Sequence, residues 1–102
     1  MRPITITQTG TGTSAPVPLD YLACPFDVGI GCVVAGTPTY TVRHSYEYPP
    51  VNWFNNPDIN TGTINLETRY TAPVRCVDVV ISGTTAPTDS VTMTILQGSN
   101  GA

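Results

Sequence analysis

The stretch Pro25–Tyr48, "PFDVGIGCVVAGTPTYTVRHSYEY", decides the fold class. Its first part places Phe26, Val28, Ile30, Cys32 and Val34 on one side and Asp27, Gly29 and Gly31 on the other. A period of two marks a half-buried strand, because successive side chains of a strand point to opposite faces. "AGTP" then turns the chain, with Gly36 supplying the backbone freedom. The second part repeats the pattern. Tyr40, Val42, His44, Tyr46 and Tyr48 share one face, and Thr39, Thr41, Arg43, Ser45 and Glu47 share the other.

The same period continues outward in both directions. "PITITQ" sets Ile4 and Ile6 against threonines, and "SVTMTILQ" sets Val91, Met93 and Ile95 against Thr92 and Thr94. "TINLETRY" and "VRCVDVVI" read as further strands, and "APVPL" as a short edge strand that tolerates its prolines. Turn signals at Gly10–Gly12, Gly36, Pro49–Pro50, Asn55–Gly62, Pro73, Gly83 and Gly98 mostly recur every ~10–14 residues, the rhythm of a sandwich or barrel. No window carries a helical stripe with caps. The expectation is one all-β domain over residues 1–102: an antiparallel β-sandwich of about seven or eight strands, immunoglobulin-like or jelly-roll in connectivity. Residues 49–62 read as a long loop, and "GSNGA" as a short flexible tail.

Composition narrows the function classes. Only 11% of the 102 residues are charged, against roughly 25% in an average globular chain. There is no lysine, and Arg2, Arg43, Arg69 and Arg75 are scattered. Threonine occupies the polar strand positions, where its β-branch fits a pleated surface. A net charge of -3 argues against nucleic acid and against an anionic membrane surface as partner. The apolar runs are far too short to span a bilayer. "MRPITITQ" has no apolar signal core, so no secretion is expected, and no glycan acceptor motif occurs.

Catalytic chemistry finds no visible constellation. His44 is the single histidine and falls within an aromatic-lined strand face. Cys24, Cys32 and Cys76 fit no zinc spacing and read as small apolar fillers, although one bridge among them stays open. The carboxylates are spread about one per element, with no local pair for acid–base work. No enzyme, metal or cofactor is expected.

What remains are surfaces. Trp53 and Phe54 stand in tandem in "PPVNWFNNPD", after two prolines that end strand pairing by removing amide donors. Three readings stay open: one of the pair plugs the sandwich's own core, the pair anchors another protein chain, or Trp53 joins Tyr46 and Tyr48 as a stacking platform for a sugar, with Asn52, Asn55 and Asp58 as hydrogen-bonders. Gly29 and Gly31 leave a smooth stripe on their strand, which suits close approach by another group.

Nearly the whole chain resembles the small β-rich virion proteins encoded among the head and tail genes of tailed bacteriophages. The resemblance is carried by "ITQTGTGTSAPVPLD", "PFDVGIGCVVAGTPTYTVRHSYE", "NWFNNP" and "RYTAPVRCVDVVISGTTAPTDSVTMTILQGS". It implies a structural role in the particle, assembled in the host cytoplasm: foremost a capsid decoration or cement protein, with a tail or head–tail component as the alternative. The implied partners are the major capsid protein or other virion subunits, together with self-association into a homo-oligomer. A carbohydrate-binding sandwich contacting host glycans is the competing reading. The candidate partner-binding residues are Trp53, Phe54, Tyr46, Tyr48, Gly29 and Gly31.

Overall fold

The computed structural model describes residues 3–22 and 26–98. Cys24 and residues 99–102 of the expected tail lie outside these residues, whereas Gly98, expected to open the tail, ends the last strand. The described chain forms nine strands and no helix: β1 (Ile4–Thr9), β2 (Gly12–Thr13), β3 (Val17–Pro18), β4 (Asp27–Ala35), β5 (Thr39–Ser45), β6 (Phe54–Asn55), β7 (Leu66–Tyr70), β8 (Cys76–Gly83) and β9 (Ser90–Gly98). They build two antiparallel sheets. One has the order β1-β9-β4-β7, and the other β2-β8-β5-β6 with β3 also paired to β8.

The connectivity follows one rule. The first strand pairs with the last, β1 with β9; β2 and β3 pair with β8; β4 pairs with β7; and β5 pairs with β6. The chain is thus one long hairpin, and rolling it up joins β4 to β9 and β5 to β8. That is the jelly-roll arrangement, not the immunoglobulin one, when β2 and β3 are taken as a single strand broken at Ala15–Pro16. The break, together with the short β6, raises the strand number above the seven or eight expected.

Between the sheets lies the core. Val28, Ile30 and Cys32 of β4 face Tyr40 and Val42 of β5, with Val77, Val79 and Ile81 of β8 and Val91, Met93 and Ile95 of β9 around them, all essentially buried. Alternation puts these residues inside, and each contributes about 1.5–3 kcal/mol by leaving water. Cys32 and Cys76 are free and buried.

The expected loop over 49–62 divides in two. Only residues 46–53 stand off the sheet. From Phe54 the chain returns beside β5: Arg43 pairs with Asn55 and His44 with Phe54, the Asn56 amide donates to the Val42 carbonyl, and Tyr40 exchanges hydrogen bonds with Gly62. Ile59, from the middle of the Asn/Asp-rich run, is fully buried in the core. Tyr46 and Tyr48 fall outside β5, which ends at Ser45. Pro49 and Pro50 have no amide to offer a ladder, and the Glu47 amide turns back onto the Ser45 hydroxyl.

Candidate functional site

The rolled hairpin sorts its connections between two ends of the sandwich. The β3–β4, β5–β6 and β7–β8 segments meet at one end, because Ser45 pairs with Cys76 there and Pro18 pairs with Cys76 from the other side. Among the described residues, six of the nine exposed large hydrophobic side chains gather at or beside this end: Tyr21, Leu22, Tyr46, Tyr48, Val51 and Phe54.

The described residues of these segments are tied down. Gln97, 2% exposed, donates its amide to the Asp20 carbonyl at 2.8 Å and accepts the Asp20 N–H at 3.0 Å. This two-way clamp fixes the residues leading to Tyr21 and Leu22, and Arg75 stacks on Tyr21 with its guanidinium 4.2 Å from the ring centre. The β5–β6 segment is tied by Glu47, whose carboxylate accepts both the backbone and side-chain N–H groups of Asn52.

Trp53 and Phe54 point to opposite faces. Trp53 lies half-buried on the outside of its sheet, with the Arg43 guanidinium 4.5 Å from its ring. Beneath it Arg43 makes a bidentate pair with Asp78, at 2.6 and 3.0 Å, and the Asp78 side chain is only 1% exposed. Burial pushes the Asp78 carboxyl up, and the Arg43 guanidinium partly offsets this. Trp53 therefore covers an ion pair of its own chain, in neither the core nor open solvent. Phe54 is half exposed. It stacks on His44 with centroids 5.9 Å apart and meets Tyr46 edge-on at 5.7 Å.

His44 bridges the two sheets at their open side. Its Nδ1 shares a hydrogen bond of 2.9 Å with the Tyr70 hydroxyl from β7, and its ring packs edge-on against Tyr70 and Tyr46. Burial pulls the His44 pKa below its ordinary value and pushes the Tyr70 phenol up to about 12. Farther along the same seam, Asn56 Oδ1 accepts the Asp58 and Ile59 amides, and the Thr68 hydroxyl reaches both Asn56 and Asp58.

Neither described cysteine is poised as a nucleophile beside His44. Cys76 pairs with Ser45 and so points to the opposite face of the sheet from His44. Burial raises the Cys32 thiol to about 12 and raises Cys76 as well, so both stay protonated at neutral pH. Among the described residues, no three His, Cys, Asp or Glu side chains come together as metal ligands would.

Gly29 and Gly31 lie elsewhere, on the outer face of β4. Arg69 and Glu67 of β7 flank them on one side, Leu96 and Thr94 of β9 on the other. Gly29 lines a shallow groove of about 650 Å³ together with Asp27 and Arg69, which pair at 2.8 and 3.0 Å, and Gly31 lies in a neighbouring depression beside Glu67 and Thr94. A methyl group at Gly31 would meet nothing within 4 Å, so the fold itself does not require glycine there.

The expected site residues thus separate into an aromatic end and a groove on another face. Sequence reasoning missed Tyr21, Leu22, Val51, Arg75 and Tyr70. Tyr21–Leu22, a tandem apolar pair just outside any alternating run, carried the same signal as Trp53–Phe54. No family model and no curated protein matches this chain.

Proposed function

We propose that this protein is a structural component of a bacteriophage particle, a head decoration or cement protein that binds the major capsid protein or a neighbouring virion subunit through its aromatic end. The observation that carries the reading is the gathering of Tyr21, Leu22, Tyr46, Tyr48, Val51 and Phe54 at one end of the sandwich. Isolated exposed apolar residues are ordinary, but a rigidly held cluster of them marks an interaction surface. Tyrosines are favoured interface anchors because a large ring is buried while the hydroxyl stays paired. The segments that display them are clamped by Gln97 and Glu47, so little entropy is lost when a partner docks. Many such contacts repeated on a lattice reinforce one another through effective concentration.

The test is quantitative mass spectrometry of purified particles of the phage that encodes this chain. Hundreds of copies per particle support the head lattice, and a handful assign the protein to the tail or the head–tail junction. Absence from the particle, with binding of the isolated protein on a glycan array, overturns the virion reading in favour of the carbohydrate one.

A further inference from the structure

We propose that β1 is a docking edge for a second copy of this chain, two β1 strands pairing antiparallel across a two-fold axis to join two four-stranded sheets into one. The proposal deepens the expectation of self-association and does not rest on the virion reading.

A two-sheet sandwich has four edges, here β1 and β7 in one sheet, β2/β3 and β6 in the other. An unpaired edge offers a row of N–H and C=O groups to any passing strand, and proteins blunt such edges with prolines, charges, bulges or brevity. Three of these edges are blunted. β2/β3 is broken at Pro16 and carries Pro18, and β6 is two residues long and runs into Pro57. β7 displays Glu67 and Arg69, both exposed. The fourth is not. β1 is six residues, "ITITQT", without charge, proline or glycine, and its register with β9 is unbroken from Ile4 to Thr9.

Which groups face outward follows from the ladder. The Gly10 N–H donates to the Asp89 carbonyl, one step beyond the Thr9–Ser90 pair. Alternation then aims the backbone groups of Ile4, Ile6 and Gln8 at β9, and those of Thr5, Thr7 and Thr9 away from it. Among the described residues, no strand pairs with that outer side.

The occupant is argued from the strand's own pattern. Ile4 and Ile6 sit on the inner face but are only partly covered, while Thr5, Thr7 and Thr9 are exposed. β9 already shows what complements such a strand. Thr5 and Thr7 face Thr94 and Thr92, and Ile4 and Ile6 face Ile95 and Met93; the Thr7 and Thr92 hydroxyls lie 3.1 Å apart. Another β1 repeats these pairings. With Ile6 on the two-fold axis, Thr5 of each chain faces Thr7 of the other, and Ile6 meets Ile6. A neutral strand meeting itself carries no like-charge penalty. The ladder is bounded as well. Pro3 has no amide to extend it, and at Gly10 (φ 72°) the chain turns toward the other sheet. A two-fold contact of this length closes on itself and does not grow into a fibre.

Sedimentation velocity on the full chain, with Thr7→Pro as the variant, tests the proposal. The wild type is expected to be a dimer at micromolar concentration. The Thr7 N–H points away from β9, so proline there removes no internal ladder bond. Thr7→Pro is therefore expected to stay folded and to weaken the dimer at least ~tenfold. Amide hydrogen exchange on the wild type gives a second readout. Thr5 and Thr7 should become protected as concentration rises, while Ile4 and Ile6 are protected throughout. A monomeric wild type, a dimer indifferent to Thr7→Pro, or Thr5 and Thr7 exchange that ignores concentration overturns the proposal. Protection of Thr5 and Thr7 that appears only with a different protein present also overturns it. If Thr7→Pro fails to fold, the exchange measurement decides.

Discussion

The two ends of the sandwich are built from different residues. At one end the β4–β5 and β8–β9 turns are small and polar. Asp89 accepts the Thr85 and Ala86 amides and the Thr85 hydroxyl through one carboxylate oxygen, and Gly36 makes its turn at φ 82°. At the other end the segments are longer and show Tyr21, Leu22, Tyr46, Tyr48 and Val51 to solvent. Both ends are held by hydrogen bonds, so looseness does not explain the difference. The polar end spends its side chains on its own turns. The aromatic end is braced from beneath, by Gln97, Glu47 and the Arg43–Asp78 pair, and leaves its apolar side chains over for something else.

The contrast can be broken in graded steps. The brace under Trp53 should cost most. Asp78→Ala leaves Arg43 without its partner beneath the indole and should destabilise the fold by about 3 kcal/mol, measured by urea denaturation; a loss below about 1 kcal/mol would mean that water already screens the pair. At the polar end, Gly36→Ala forces a side chain into the left-handed region and against Asp89, for a loss of about 2 kcal/mol by the same assay. A smaller effect is set by pH. The unfolded chain protonates His44 near its ordinary pKa of about 6.5, and the folded chain resists because burial disfavours the charge. The unfolded state then binds more protons, so the stability present above that pH falls as the solution is acidified through it. Melting temperature followed from neutral to mildly acidic pH should show this fall, and His44→Gln should flatten it. An unchanged slope would place the titration elsewhere.

Much of this architecture was legible in the sequence. The faces of β4 and the Tyr40/Val42 pattern of β5 follow from alternation, since one flank of each is apolar and the other is not. Three features were hidden. The choice of jelly-roll connectivity is made by long-range pairing, β1 with β9 and β4 with β7, which no local pattern encodes. Ile59 is a core residue flanked by Asp and Asn, so its burial is decided by where the edge segment returns to β5 and not by neighbours in sequence. Trp53 and Phe54 are adjacent and similar in kind, yet the pairing of Phe54 with His44 sends one to the seam and the other to the outer face. At the aromatic end, Tyr46 and Tyr48 were legible as surface residues, but Tyr21 and Leu22 joined them only through the fold.

The central claim is that the aromatic end is a docking surface and not part of the core. It is tested most directly with the double variant Tyr46→Ala/Tyr48→Ala, whose melting temperature is compared with the wild type and whose retention on purified particles is measured alongside. Both rings are about half exposed and Tyr46 also meets His44 and Phe54 edge-on, so stability should fall by only about 1–2 kcal/mol, while retention should fall at least ~tenfold, as expected when interface anchors worth about 2 kcal/mol are removed. Full retention by a folded variant, or a larger loss of stability, would contradict the account.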